Sequence, residues 1–142
     1  MEFTIHPVTW HDAEPLLRAV REAVFIREQG VPAELEWDGL DEDSHHMLAL
    51  SNAGQAIGCG RILPNAHVGR IAVLKEWRGK KVGTALLEGL LAYANNRHYP
   101  EVEIDAQVQA LPFYQRFGFV EEGEDFMDAN IPHRRMRLKL GN

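Results

Sequence analysis

The residues best suited to chemistry lie in one short segment, residues 78–84, which reads Arg-Gly-Lys-Lys-Val-Gly-Thr. An apolar, strand-like run precedes it, and a helical pattern begins within it. Unpaired N–H groups at a helix N-terminus converge on one point, the helix dipole adds positive potential, and glycine lets a ligand approach the main chain. Arg78, Lys80 and Lys81 add formal positive charge. The segment therefore predicts a phosphate or pyrophosphate site.

Two common phosphate-binding motifs do not fit this segment. A Walker A loop requires a lysine before its Ser or Thr, whereas Gly83 is followed directly by Thr84. A dinucleotide-binding fingerprint needs three spaced glycines between a strand and a helix. The segment has two, and Gly58-Cys59-Gly60 leads into a strand instead. The sequence thus disfavours an NTPase and a Rossmann domain.

The elements that must position the segment follow from hydrophobic periodicity. Asp12 is a suitable N-cap for a first helix that Gly30 and Pro32 stop, and a second helix runs from about residue 83 to the His98-Tyr99-Pro100 sequence. A short helix is predicted at residues 110–117. Strands are predicted at residues 4–8, 46–50, 55–63, 68–74, 102–106, from 119 onward, and 135–140.

These elements predict one α/β domain. The strands at 46–50 and 55–63 read as an antiparallel hairpin, and the strand, helix and strand between residues 68 and 106 predict a right-handed parallel crossover. At 142 residues the chain fits a single domain, residues 1–142, with an ordinary hydrophobic core. Its 45% hydrophobic and 25% charged residues are typical of a globular protein.

Charge and composition narrow the function classes. The formal net charge of -6 argues against nonspecific binding to nucleic acid or to an anionic membrane, and it suits a cationic small substrate. The chain shows no signal-peptide pattern and no apolar run long enough to cross a bilayer, so we expect a cytoplasmic protein. The single Cys59 excludes an internal disulfide, and we expect it to be a buried structural thiol rather than a nucleophile.

Acidic residues and histidines give weaker signals. Six carboxylates fall within residues 34–43, the acidic loop, and five within residues 121–128. Such runs are usually solvated loops, but the acidic loop is also a candidate for steering a cationic acceptor. The seven histidines do not predict a metal site, because adjacent His45 and His46 point to opposite faces of a strand.

Two separate motifs resemble the GNAT superfamily of N-acetyltransferases. Its pyrophosphate loop has the pattern Arg/Gln-x-x-Gly-x-Gly/Ala, which Arg78 and Gly83 match, while Lys81 replaces the middle glycine. Residues 110–119 are similar to the Ala-x-x-Phe-Tyr-x-x-x-Gly-Phe signature of the family. Further resemblance in residues 27–32, His45, residues 105–107 and residues 123–133 points to the ElaA-like and YjcF-like subgroup.

The resemblance implies a fold, a donor and a reaction. The fold is a twisted, mixed, mostly antiparallel sheet of six to seven strands with about four helices, splayed at the cofactor cleft. Acetyl-CoA donates an acetyl group directly to a primary amine of a small molecule or peptide in a ternary complex. Dimers are frequent among similar proteins, so a homodimer is also implied. The implied cofactor-binding residues are Ile71, Ala72, Val73, Arg78, Gly79, Lys80, Lys81, Val82, Gly83, Thr84 and Phe113.

The resemblance also implies catalytic roles. Tyr114 matches the signature tyrosine, which protonates the departing thiolate. The general base stays open, and the candidates for base or acceptor contact are Glu28, His45, Asp105 and His133, or a water molecule. The alternative function is a noncatalytic acyl-CoA-binding or regulatory module, and a third hypothesis is an interaction domain without a nucleotide ligand.

Overall fold

The computed structural model of the protein describes residues 2–141, which form one seven-stranded sheet with helices on both faces. The π-helical segment Glu22–Glu28 continues the first helix, and the predicted order of strands and helices is confirmed. The elements are β1 (Phe3–Val8), α1 (Trp10–Arg21), α2 (Ala33–Glu36), β2 (His45–Ser51), β3 (Ala56–Ile62), β4 (His67–Val73), α3 (Val82–Asn96), β5 (Glu101–Gln107), α4 (Leu111–Gln115), β6 (Val120–Asp128) and β7 (Ile131–Lys139).

The sheet has the strand order β1-β2-β3-β4-β5-β7-β6. Neighbouring strands run antiparallel except β4 and β5, which are parallel. These two strands pair only at His67 with Glu103 and at Val68 with Ile104, and beyond these pairs they diverge. The predicted mixed, mostly antiparallel sheet with a splayed centre is therefore confirmed.

Apolar side chains of the helices pack on both faces of the central strands of the sheet. Leu86 and Leu90 of α3 pack on one face, and Leu17 of α1 packs on the other. Cys59 lies in the α1 layer, where burial raises the pKa of its thiol to about 12, so the predicted structural thiol is confirmed. None of the helices within residues 2–141 is long and apolar enough to cross a membrane.

Two predicted element ends are wrong by several residues. Thr9, rather than Asp12, is the N-cap of α1, because the Thr9 hydroxyl accepts a hydrogen bond from the Asp12 N–H at 3.1 Å. β7 begins at Ile131 instead of residue 135. Ala129 and Asn130, which both have positive φ, form a tight two-residue hairpin turn that keeps β6 and β7 paired up to that point.

Three carboxylates of the acidic loop are held in an ion-pair network, which corrects the interpretation of the loop as solvated. Glu36 and Asp41 are only 2% and 5% exposed. Arg21 binds Glu36 at 2.8 Å and Asp41 at 2.6 Å, while Arg61 binds Asp41 at 2.9 Å and Asp38 at 2.5 Å. Buried charges need such partners, so these carboxylates fix the loop to the sheet and are neutralised by arginines.

The network links folding stability to pH. Burial favours a neutral Asp38, but hydrogen bonds from Arg61 and the Leu40 N–H, with the charges of Arg61 and Arg70, lower its pKa to about 2. A carboxyl group whose pKa is depressed by folding stabilises the native state above its unfolded pKa of about 3.9. This contribution is fully present at neutral pH and is lost as the pH falls from about 4 toward 2.

The turn that leads into α3 has unusual backbone geometry. Lys81, immediately before the first helical residue, has φ 69° and ψ 19°, in the left-handed region. Gly79 also has a positive φ, of 76°. Lysine adopts the left-handed conformation at a cost of roughly 1–2 kcal/mol, whereas glycine does so freely. Lys81 therefore adopts the backbone conformation that a glycine would take there without strain.

We expect Asp41→Asn to lower the free energy of unfolding by about 3 kcal/mol, measured by urea denaturation. The substitution keeps the side-chain size but removes the charge shared by two buried arginines. Glu42→Gln is the matched control, because it removes the same charge from the exposed neighbour and should change stability by less than about 0.5 kcal/mol. Equal stabilities of the two variants would contradict the structural role of the network.

We expect Lys81→Gly to raise the free energy of unfolding by about 0.5–1 kcal/mol in the same assay. Relief of the left-handed strain exceeds the extra freedom that glycine gives the unfolded chain. Lys80→Gly is the control, because Lys80 is equally exposed and has no positive φ, so the variant should lose stability. The account of this turn fails if Lys81→Gly is the less stable of the two.

Candidate functional site

Two adjoining cavities open where β4 and β5 diverge. The cleft cavity, of about 530 Å³, lies between the two strands, under the π-helical segment and α4. The cradle cavity, of about 670 Å³, lies at the start of α3. They share the lining residues Val73, Arg78, Gly83 and Phe113. A long ligand can therefore extend from one cavity into the other.

Free main-chain N–H groups line the cradle cavity. Within residues 2–141, the amides of Val82, Gly83 and Thr84 make no well-formed hydrogen bond, and Ala85 donates the first one, to the Lys81 carbonyl at 3.1 Å. Three unpaired donors at the positive end of a fifteen-residue helix form an anion site. The segment thus has the local geometry predicted from its sequence.

Arg78 lies between the two cavities and is bound to Glu28. Its two terminal nitrogens each donate to the Glu28 carboxylate at 2.7 Å, and its Nε donates to the Val73 carbonyl at 3.0 Å. The hydrogen bond lowers the pKa of Glu28 and raises that of Arg78. Glu28 itself lines neither cavity. An anion in the cradle would compete with Glu28 for Arg78.

The β4 edge of the cleft carries main-chain groups without a strand partner. Beyond Val68, β4 has no paired residue on β5, so the strand borders the open cleft. A bulge leaves Arg70 and Ile71 without partners on β3, and Arg70 takes a positive φ of 53°. Ile71, Ala72 and Val73 all line the cleft cavity, which suits hydrogen bonding to an extended ligand.

Tyr114 faces the cleft cavity from α4. It is only 7% exposed, and its ring packs edge-on against Phe113 and Phe119, with centroid distances of 5.0 and 5.8 Å. Burial raises the pKa of its hydroxyl, so the group keeps its proton at neutral pH. A phenol that keeps its proton in the cleft wall is available as a proton donor to an anionic leaving group.

Most of the remaining predicted site residues line one of the two cavities. Gly79, Lys81, Val82 and Thr84 line the cradle cavity, and Asp105 and His133 line the cleft cavity. Lys80 is exposed and lines neither cavity.

His45, like Glu28, is a catalytic candidate that lines neither cavity. Its ring stacks on Tyr93 of α3 with a centroid distance of 3.8 Å, and burial lowers its pKa. The neighbouring His46 lies on the opposite face, 5.7 Å from the Trp10 ring, as the strand pattern predicts. β2 thus holds His45 outside the cleft cavity, and nothing in the geometry of the cleft supports its predicted role there.

Three glutamines that sequence reasoning did not assign also line the cleft cavity. Gln107, at the end of β5, donates to the side-chain oxygen Oε1 of Gln29 at 2.8 Å, and Gln109 donates to Oε1 of Gln107 at 2.5 Å. Gln29 follows the π-helical segment, so this chain of amides links two sides of the cleft. Period-two alternation along β5 is a signal that could place Gln107 on the face of Asp105, but no local pattern indicates its partner Gln29, 78 positions away.

Comparison with known proteins gives consistent results. The sequence model of the acetyltransferase (GNAT) domain matches residues 13–140. The uncharacterized N-acetyltransferase YjcF of Bacillus subtilis is 38% identical over 121 residues, which cover 82% of this chain and 86% of that protein.

Solved structures agree with the sequence matches. An acyl-CoA N-acyltransferase from Pseudomonas aeruginosa superposes with a TM-score of 0.83 at 30% identity. Escherichia coli ElaA superposes with a TM-score of 0.82, also at 30% identity. Each pairing covers 96% of this chain and 99% of the other. Since the family match spans nearly the whole domain described above, the chain belongs to the GNAT family of acetyltransferases.

Proposed function

We propose that the protein transfers an acetyl group from acetyl-CoA to a primary amine of a small molecule or peptide, by direct attack in a ternary complex. The observation that carries this proposal is the junction of the two cavities at Val73, Arg78, Gly83 and Phe113. A donor that binds by its diphosphate in the cradle would present its thioester in the cleft. A family member with an acyl-CoA donor needs this arrangement.

The residues of the cradle cavity would bind the acetyl-CoA donor. The amides of Val82, Gly83 and Thr84 would hold the diphosphate, and Arg78 would add a charged contact to it. The β4 edge from Ile71 to Val73 would pair with the pantetheine amides. Arg78 Nε now binds the Val73 carbonyl, so the same movement that takes Arg78 to the diphosphate would release that carbonyl.

The residues of the cleft cavity would promote transfer of the acetyl group to the amine. The amine nitrogen attacks the thioester carbonyl carbon, the carbon–sulfur bond breaks, and the acetyl group moves to nitrogen. Main-chain N–H groups of the β4 bulge would stabilise the developing oxyanion. Tyr114 would donate its proton to the departing thiolate, which gives CoA as a free thiol.

The acceptor would enter from the side of the π-helical segment. A cavity of about 530 Å³ suits a small molecule or one extended side chain of a peptide. The net charge of -6 attracts a cationic amine over long range. Glu28, freed when the diphosphate takes Arg78, would then be a carboxylate beside the entrance for contact with the acceptor.

We expect Arg78→Ala to weaken acetyl-CoA binding about tenfold, measured by isothermal titration calorimetry at low salt. The variant loses a charge-assisted contact to the diphosphate and leaves Glu28 as an unpaired negative charge nearby. Arg97→Ala is the matched control, because Arg97 stacks on Tyr93 at the far end of α3. Wild-type affinity in Arg78→Ala would argue against the cradle as the diphosphate site.

We expect Tyr114→Phe to lower kcat about 100-fold while the Kd for acetyl-CoA stays unchanged, because only the proton donor is removed. A thiol-release assay with spermidine, Nα-acetyl-lysine and phenethylamine measures this. Tyr93→Phe, which lies outside both cavities, is the control. Full activity in Tyr114→Phe would make Tyr114 a core aromatic only. Wild-type protein that binds acetyl-CoA but turns over no amine would be a noncatalytic acyl-CoA-binding module.

A further inference from the structure

We propose that His133 is the general base of this site, accepting the proton that the acceptor amine loses on attack. This inference rests on the proposed function and assigns the one role which that function leaves open. One ring nitrogen of His133 is held by a hydrogen bond, and the other has no protein partner. Neighbouring side chains pack against the ring, and the other candidate bases are paired or lie outside the cleft cavity.

One nitrogen of His133 is committed to a structural hydrogen bond. The ring is 9% exposed, and Nδ1 lies 2.7 Å from the Ile131 carbonyl oxygen. A carbonyl oxygen can only accept, so the network assigns the proton to Nδ1. In the neutral imidazole, Nε2 then carries a lone pair and no proton.

The other ring nitrogen, Nε2, has no hydrogen-bond partner among residues 2–141. His133 lines the cleft cavity together with Tyr114 and the β4 edge. Nε2 is not sealed from solvent. A lone pair on a residue of the cleft wall that no protein donor occupies is ready to accept a proton, directly or through one water molecule.

Neighbouring groups hold the ring in place. Phe126 of β6 stacks on it with a centroid distance of 6.0 Å and an interplanar angle of 24°. Gln107 is the register partner of His133 across β5 and β7, and it is bound in turn to Gln29. A base whose ring and tautomer are both fixed loses little entropy when it meets the amine.

The other candidate bases are paired or lie outside the cleft cavity. Glu28 and His45 line neither of the two cavities. Asp105 accepts a short hydrogen bond from Nε of Arg135 and a longer one, at 3.4 Å, from Nη2. His133, in contrast, lines the cleft cavity and has a ring nitrogen, Nε2, that accepts no hydrogen bond within residues 2–141.

The charged and titratable groups around His133 lie on several elements. On β5 and β7, Asp105 and Arg135 neutralise one another. His67 of β4 and Asp128 of β6 also line the cleft cavity.

Proton transfer to His133 accompanies the acetyl transfer. As the nitrogen–carbon bond forms, the N–H proton of the amine moves to Nε2 of His133, while the carbon–sulfur bond breaks and the thiolate takes a proton from Tyr114. The imidazolium then returns its proton to solvent, and the tyrosinate is reprotonated. One amine and one thioester give one amide and one thiol.

His133→Asn separates the catalytic role from the structural one. The asparagine amide nitrogen can occupy the position of Nδ1 and donate to the Ile131 carbonyl, but the side chain has no counterpart of Nε2. We expect kcat with spermidine, Nα-acetyl-lysine or phenethylamine to fall about 100-fold or more, with acetyl-CoA affinity and thermal stability retained. The acidic limb of the pH–rate profile should change from that of the wild type with the same amine.

Chemical rescue and a second histidine complete the test. Added imidazole should restore turnover in His133→Ala, and His11→Asn, at an exposed histidine of α1, should behave as wild type. Activity and a pH profile unchanged in His133→Asn would overturn this inference alone. Loss of stability and acetyl-CoA binding in His133→Asn, without imidazole rescue of His133→Ala, would make the residue structural. Wild-type protein inactive on every amine would overturn the proposed function and this inference with it.

Discussion

The short parallel pairing between β4 and β5 is the constraint on which the site depends. Two residue pairs, His67 with Glu103 and Val68 with Ile104, hold the strands together, and beyond them each strand keeps only its antiparallel neighbour. A continuous ladder would place every main-chain group of β4 in the sheet. Its interruption leaves the strand beside a cavity, where N–H and C=O groups can bind a ligand. The free amides at the start of α3 lie at the same opening.

Charges in this protein fall into structural and functional sets. Arg21 and Arg61 bind carboxylates of the acidic loop in the interior and fix the wall of the cleft. The Arg78–Glu28 pair is partly exposed and contributes little to stability by itself. Arg78 of this pair lines both cavities, where a ligand could contact it. An exposed pair can exchange partners with a diphosphate at small cost, whereas the buried network cannot.

The sequence predicted the features that depend on local spacing. The strand, turn and helix around Gly83, the parallel crossover and the opposite orientations of His45 and His46 all follow from periodicity within a few residues. The family resemblance added two predictions, the acetyl-CoA donor and a catalytic role for Tyr114, which lies on an apolar stripe and by pattern alone is an ordinary core aromatic.

Features that depend on distant contacts were not predictable in the same way. The acidic loop has the composition of a solvated loop, yet its carboxylates meet Arg21 and Arg61, which lie on α1 and β3. The Arg78–Glu28 pair joins residues 50 positions apart. The free Nε2 of His133 follows from the Ile131 carbonyl at the start of β7, which binds Nδ1, and only three-dimensional geometry reveals it.

The most direct test of the central claim is an amide NMR titration of the ¹⁵N-labelled protein with CoA. The account predicts that the largest saturable shifts fall on the N–H groups of Val82, Gly83 and Thr84, followed by those of Ile71 to Val73 on the cleft edge of β4. Saturable shifts confined to other surfaces, with the first three amides of α3 unmoved, would contradict it.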